Sequence, residues 1–273
     1  MLKLMRHVAA VLLIAAPSLA LAAPAGNAVG VDPMADAGAN GQSRTLVVGA
    51  DVFIGDLVET GSKGQVQILF ADNTELVVGP NSALTIEDYL IRNDGSAGKL
   101  AVDMLSGAFR FATGDSAKNL YEINTPTGTI GIRGTNFDVF VQKGGPADIL
   151  LYHGKIKFCT DAGVCKILSD FCQLGQIGST ETKIIGDTRE TKGDIRAALQ
   201  GEFIYSMNQS PLLRQFWFPK ARECLNKSEG QEIETDDGGG APVVPVTPPV
   251  TPTPPAPPPP PPPPPVIINR VLN

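Results

Sequence analysis

From Leu46 to about Leu168 the chain runs as short stretches of alternating apolar and polar residues, each closed by a turn signal. Val66, Ile68 and Phe70 fall on one parity, and Gln65, Gln67 and Leu69 on the other. A period of two is that of a strand with one buried face, so the core open to this segment is a β core. Asp72-Asn73 reads as a two-residue hairpin turn, since both residue types tolerate positive φ, and Leu76 and Val78 lie on the return strand. Further strands start at Leu84 and Ile86 and run over Lys99 to Leu105, Ala108 to Ala112, Tyr121 to Asn124, Phe137 to Gln142, Asp148 to Tyr152 and Lys155 to Cys159. Gly79-Pro80-Asn81, Ser106-Gly107, Gly144-Gly145-Pro146 and His153-Gly154 separate them. Strands at this spacing predict a mainly β domain, an antiparallel sandwich or jelly-roll-like β-roll, for which about 110 residues are enough.

The centre of this pattern is Ile123 to Val141, INTPTGTIGIRGTNFDVFV, a turn followed by a glycine-rich run and a strand. It resembles the signature of the FecR domain, a periplasmic β module of Gram-negative bacteria. Upstream, Gly55-Asp56-Leu57-Val58-Glu59-Thr60 is similar to that family's opening G-D-x-V-x-T. Gln65 to Thr74 resembles its x-V-x-L-x-F-x-D-G-S hairpin, with Asn73 for Gly and Thr74 for Ser. Leu76 to Ser82 and Leu105-Ser106-Gly107-Ala108-Phe109-Arg110-Phe111 resemble the next two segments, so the likeness spans residues 48 to 158. It implies a β scaffold for binding in the cell envelope. Full FecR-type regulators add a cytoplasmic helical part that holds a sigma factor and a transmembrane helix, and take their signal from an outer-membrane transporter. Here a cleavable leader stands in that place, so the anti-sigma role is not carried over.

Residues 1–22 read as a secretory signal peptide. Lys3 and Arg6 precede the apolar run Val8 to Ala16, and Ala20-Leu21-Ala22 gives an A-x-A cleavage site. No later stretch reaches the ~20 apolar residues that span a bilayer, so no transmembrane helix is expected after cleavage. The expected location is the periplasm, or the secreted or surface-bound state. The formal charge of −6 becomes −8 when Lys3 and Arg6 leave with residues 1–22, which hold no acid. An acidic chain with no basic cluster in sequence argues against nucleic-acid partners and anionic membranes. Residues 23–45, small and polar without a period, read as a disordered leader.

The chain has four cysteines, Cys159, Cys165, Cys172 and Cys224, which allow three pairings. Export favours disulfides. Cys159 and Cys165 flank a turn between two short strands, so a Cys159–Cys165 bridge is expected, leaving Cys172–Cys224 to tie a C-terminal extension to the β domain. C-x5-C and C-x6-C spacings with no interleaved histidine do not suit zinc, and no metal or cofactor is expected.

Boundaries are therefore 46–170 for the β domain, 171–235 for a short helical, disulfide-tied extension, and 236–273 for a disordered proline-rich tail. In the extension Ile195, Ala198, Leu199 and Phe203 recur at helical spacing, with Asp187 and Thr188 as candidate N-caps. Phe216-Trp217-Phe218 is read as packing onto the sheet. Pro257 to Pro265 are consecutive prolines, a polyproline II rod of roughly 28 Å. The apolar tip Val266 to Asn273 reads either as a spacer end or as a docking strand.

An active site is not legible. After the leader one histidine remains, His153, beside a glycine turn. Glu87-Asp88 and the other acidic pairs look like solvated carboxylates, and no nucleophile elbow, phosphate loop or zinc helix motif is present. The one candidate for chemistry is Gly134-Thr135. In a strained turn the threonine hydroxyl would attack the preceding carbonyl and cut the backbone; the plainer reading is that Gly134 permits a bend and Thr135 begins a strand. The expectation is a non-enzymatic module with an envelope protein partner, its oligomeric state open. The alternative is a binder of a small ligand or glycan, such as peptidoglycan or a siderophore complex.

Overall fold

The structure is a computed structural model and describes residues 23–91, 97–116 and 121–226. The expected signal peptide at 1–22 and the proline-rich tail lie outside the described residues, as does the end of the extension beyond residue 226. The strands are β1 (Gly26–Asp32), β2 (Ala35–Ala39), β3 (Gln42–Thr45), β4 (Asp51–Val52), β5 (Leu57–Thr60), β6 (Gln65–Phe70), β7 (Glu75–Val78) and β8 (Ala83–Ile91). They continue as β9 (Ala97–Ala112), β10 (Tyr121–Thr125), β11 (Gly128–Val141), β12 (Ala147–Thr160), β13 (Cys165–Leu168), β14 (Gln173–Ile177) and β15 (Thr182–Asp187). All join one hydrogen-bonded sheet whose main path is β15-β14-β12-β11-β10-β9-β7-β6-β1-β4. The mainly β architecture holds. Its pairs are antiparallel except β9–β10, which run parallel from Tyr121↔Leu100 to Asn124↔Asp103.

Three long strands give the sheet its shape. The sequence divides Ala97–Ala112 at Ser106-Gly107, but the backbone passes through as one strand, with Gly107 at φ 104° making the bend. Before the bend β9 pairs with β8 and β10; after it, with β7 and β11. Likewise β12 runs through His153-Gly154, pairing β14 at its start and β13 at its end. Such bends let one strand serve two parts of a curved sheet. The inward parity of all strands but β3 and β15 meets in one core. Ile68, Phe70, Leu76, Val102, Phe109, Phe111, Ile130, Phe137, Ile149 and Phe158 are all buried in it.

Residues 23–45 are not a disordered leader. They form β1, β2 and β3, with β1 paired to β6 and β2 to β5. Ala25, Ala28, Ala35 and Ala37 are buried in the main core. A Cβ on Gly26 would lie 2.6 Å from the Leu69 carbonyl oxygen. The small residues that look like low-complexity polar chain are the ones this close approach requires. The β6–β7 hairpin also differs from expectation. Phe70 N–H donates to Thr74 O and Asn73 N–H to Phe70 O, so the loop has three residues, Ala71 to Asn73, of which Asn73 takes positive φ (62°). That is a type I turn closed by a left-handed residue.

The extension also starts later than the expected boundary at 171. β14 and β15 carry the sheet to Asp187, and helix comes only after it: α1 (Gly193–Glu202), α2 (Ile204–Met207) and α3 (Arg222–Leu225). Asp187 caps a 3-10 turn at Thr188–Glu190 by accepting from Arg189 N–H, while the N-cap of α1, Lys192, makes no side-chain capping bond. Ile195 is exposed. Leu199, Phe203 and Phe218 pack with Leu150, Tyr152 and Leu174 on the outer face of the sheet, and Tyr205, Leu212 and Phe216 pack with Val77. The helical segment is thus a cover over the half of the outer face that lies beyond the strand bends.

Candidate functional site

The cover is fastened by a buried charge. Arg110, on the outward parity of β9, is 1% exposed. It donates from Nε and Nη2 to the two oxygens of Asp138 on β11, at 2.8 and 2.9 Å. From Nη1 it donates to Gln209 Oε1 at 2.5 Å and to the Phe216 carbonyl at 3.4 Å. Its guanidinium lies 4.3 Å from the Phe218 ring centroid and 5.5 Å from those of Tyr152 and Tyr205. Burial acts to lower the Arg110 pKa, and the Asp138 carboxylate outweighs it, so the group is held charged. Tyr152 donates to Asp138 Oδ2 at 2.7 Å and lies 2.5 Å from Ser206 Oγ. Burial pushes the Tyr152 hydroxyl pKa well up, and Asp138 adds to it. Every polar group here is used internally. The cluster binds the extension to the sheet.

Two acidic residues of the opening motifs, Asp56 and Asp72, are internal too. Asp56 is 2% exposed and accepts from both Arg44 terminal nitrogens, at 2.9 and 2.6 Å, and from Phe53 N–H. Asp72 gathers two tyrosines, accepting from Tyr121 at 2.8 Å and Tyr89 at 3.3 Å. These pairs fix loops rather than expose chemistry.

Two motif segments meet at the surface. Ser82 Oγ accepts from Ala108 N–H at 3.0 Å and donates toward the carbonyls of Pro80 and Ala108, while Thr60 Oγ1 donates to Gly79 O. Gly107 packs on Ser82 so closely that a Cβ would fall 2.1 Å from its hydroxyl. The Gly79–Ser82 turn is thereby clamped to the β9 bend. Beside the clamp opens a groove of ≈ 820 Å³, walled by residues 59–60, 80–83, 105–108 and 140–143, with Gly201 and Ile204 from the helical cover. Leu105, 42% exposed, stands on its rim, and Phe140, Val141 and Ile204 add apolar surface. Its charged residues are Glu59 and Lys143. Open, mostly apolar and bordered by turn backbone, the groove suits a chain segment better than an enclosed small molecule.

Gly134-Thr135 lies inside β11 at a bulge, where the register to β12 shifts between Arg133 and Asn136. Gly134 takes φ 67°, a left-handed value that glycine tolerates at no steric cost. Thr135 is fully buried; its N–H donates to Thr113 Oγ1 at 3.0 Å and its own hydroxyl has no hydrogen-bond partner. His153 is exposed opposite Asn136. Glu87 is exposed on β8, its pKa raised by burial and by Asp103. The structure joins Cys159 to Cys165 and Cys172 to Cys224 and leaves no free cysteine among the described residues. No cluster of His, Cys, Asp or Glu that could hold a metal occurs among them. No helix among them is long and apolar enough to cross a membrane.

With this geometry in place, comparison with known proteins is decisive for one segment. The profile of the family described as FecR protein matches residues 56–157. Those residues are a FecR domain. It runs from the Asp56 anchor through β12, so the groove's clamp, the Arg110–Asp138 pair and Gly134-Thr135 all lie within it, while the helical cover lies outside. Two solved structures of a candidate anti-sigma factor from Parabacteroides distasonis ATCC 8503 are similar to the chain. They have 13% identity, TM-scores of 0.40 and 0.39, and cover 53% of this chain. The chain spans 65% and 64% of their lengths. No curated protein matches the chain.

Sequence reasoning missed Arg110 and Asp138 as partners and missed the groove. Arg110 carries a signal in retrospect, as a lone cation inside the apolar run Ala108 to Ala112. The groove carries none, since its walls come from five separated segments.

Proposed function

We propose that this is an exported, non-enzymatic FecR-domain protein of the Gram-negative envelope that holds a segment of a partner protein in the groove beside the Gly79–Ser82 turn. The observation that carries this reading is that two FecR motif segments, otherwise spent on internal bonds, meet at the wall of an open apolar groove. Two disulfides suit an oxidising compartment. A signalling role fits a module whose Arg110, Asp56 and Asp72 clusters are internal, because such a fold keeps its surface free for a partner. The test is envelope pull-down with wild type and Leu105→Glu. Leu105 is exposed, so the variant folds. A partner identified with wild type and lost with the variant supports the groove. The same partner retained in full refutes it, and capture of a peptidoglycan fragment or siderophore complex instead favours the ligand alternative.

A second reading rests on Thr135. Its buried, unpartnered hydroxyl adjoins the Gly134 carbonyl at a left-handed glycine. Attack of Oγ1 on that carbonyl carbon moves the acyl group from nitrogen to oxygen and frees the Thr135 amine; water then hydrolyses the ester. Both disulfides lie C-terminal to the bond. The two pieces would therefore separate on a non-reducing denaturing gel, and Thr135→Ala would abolish the split. A single full-length band for wild type removes this reading.

A further inference from the structure

The half of the outer face not covered by the helical segment is polarised. On β8 to β10 its outward residues include Asp88, Asp103 and Glu122 with the cation Lys99, and on β11 and β12 they are Thr129, Gly131, Arg133, Lys155, Lys157 and Cys159, with no acid among them. Their inward neighbours Val102, Ile123, Ile130, Ile132, Ile156 and Phe158 are core, which settles the parity. One cross-strand row reads Asp88, Ala101, Glu122, Gly131, Lys157, Ile167, in register from β8 to β13. Asp88 meets Lys99 at 3.8 Å and Asp103 accepts from Asn124, but among the described residues no ion pair joins the acidic half to the basic half. Arg133 sits directly opposite Lys155, and like charges so placed are destabilising. Ile167, on the basic side of the row, is 50% exposed.

We propose that the chain associates with a second copy of itself through this face, the acidic strands of one copy against the basic strands of the other. A two-fold axis along β11 does this by symmetry: it sets Glu122 against the partner copy's basic strands and Lys157 against its acidic ones, so each contact is made twice. Glu122 and Lys157 are two strand spacings apart, roughly 10 Å. Gly131 lies between them and presents no side chain, so the two copies approach along the axis. The contact covers Ile167, which shares the row of Glu122 and Lys157. A patch of so few strands is at the small end of specific interfaces, so the dimer is weak and sensitive to salt. This association is independent of the groove, which lies beyond the bends on the half bordered by the cover.

The test is sedimentation equilibrium of the full chain as purified, at low and high salt, for wild type, Lys157→Glu and Glu122→Lys. Both positions are exposed, and surface substitutions of this kind are within about 0.5 kcal/mol in stability, so both variants fold; near-ultraviolet circular dichroism confirms it. Wild type is expected to form a dimer whose dissociation constant rises about tenfold or more on adding salt. Each variant alone should weaken it at least as much, because two attractive contacts become repulsive. An equimolar mixture of the two variants should recover the wild-type affinity, because every contact again joins opposite signs. Three results overturn the proposal: a wild type that stays monomeric up to roughly 0.5 mM, where even small interfaces associate; a dimer that both variants keep; or a mixture that does not recover.

Discussion

Arg110→Met is the substitution with the largest worked consequence. It keeps the aliphatic volume against Phe218 and Tyr205 but removes the counter-charge of Asp138, itself 2% exposed. Four donated bonds go with it, two to the carboxylate and one each to Gln209 and the Phe216 carbonyl. Breaking a buried pair from one side costs about 3–5 kcal/mol because the remaining ion is left uncompensated. In a domain of this size about 1 kcal/mol moves Tm by 2–4 °C, so a fall of roughly 6–20 °C is expected. Urea unfolding gives the free energy directly. Asp138→Asn in the same background removes the stranded charge and leaves an acceptor for Tyr152, so the double variant should regain at least half the loss. Limited proteolysis should show the segment 188–226 cleaved first in the single variant, since Gln209 and Phe216 belong to it. A loss under about 1 kcal/mol, or strictly additive effects of the two substitutions, would refute the claim that this pair fastens the cover.

Further outcomes follow from the same contacts. Glu202, half-buried near Asp148, has its pKa pushed up to about 7, by burial first and Asp148 second. A carboxyl raised in the folded state contributes stability below its unfolded value that is lost as pH rises through the folded one. Stability should therefore decline between pH 4.5 and 7. For a group this exposed its share of the decline is about 1 kcal/mol, and Glu202→Gln should remove that share in a pH series of unfolding curves, leaving the share of Glu75, which burial also pushes up to about 7. The Cys172–Cys224 bridge closes a separation of 52 residues. Replacing both cysteines by serine should cost about 4 kcal/mol on the chain-entropy account, read by urea unfolding. The Cys159–Cys165 bridge, with a separation of 6, should cost less.

Strand identity was legible in Gln65–Phe70 or Phe137–Val141 because every inward position there is apolar at period two and the inward face is core. It was not legible in residues 26–45, where alanine and glycine do the packing and hydropathy carries no period. Strand length was hidden as well. Ser106-Gly107 and His153-Gly154 carry the residues of a loop, but in this fold they bend strands that continue. For Gly107 the reason is contact, since Ser82 occupies the space a side chain would need. The groove is a product of those bends: it lies where β9 turns, against a turn 25 residues earlier and a helix nearly 100 residues later. No local pattern announces such a site. The charged outer face was hidden for the same reason, its cations being scattered singly along the sequence and gathered only by register.

The account's central claim is that the groove holds a partner segment, and photo-crosslinking from within it is the most direct check. A photoreactive side chain at Leu105, on the rim, should give a discrete adduct with an envelope protein in living cells. One at Lys63, exposed in the β5–β6 turn outside the groove walls, should not. An adduct from Leu105 alone supports a groove-bound partner. No adduct from Leu105, or equal adducts from both positions, would contradict it.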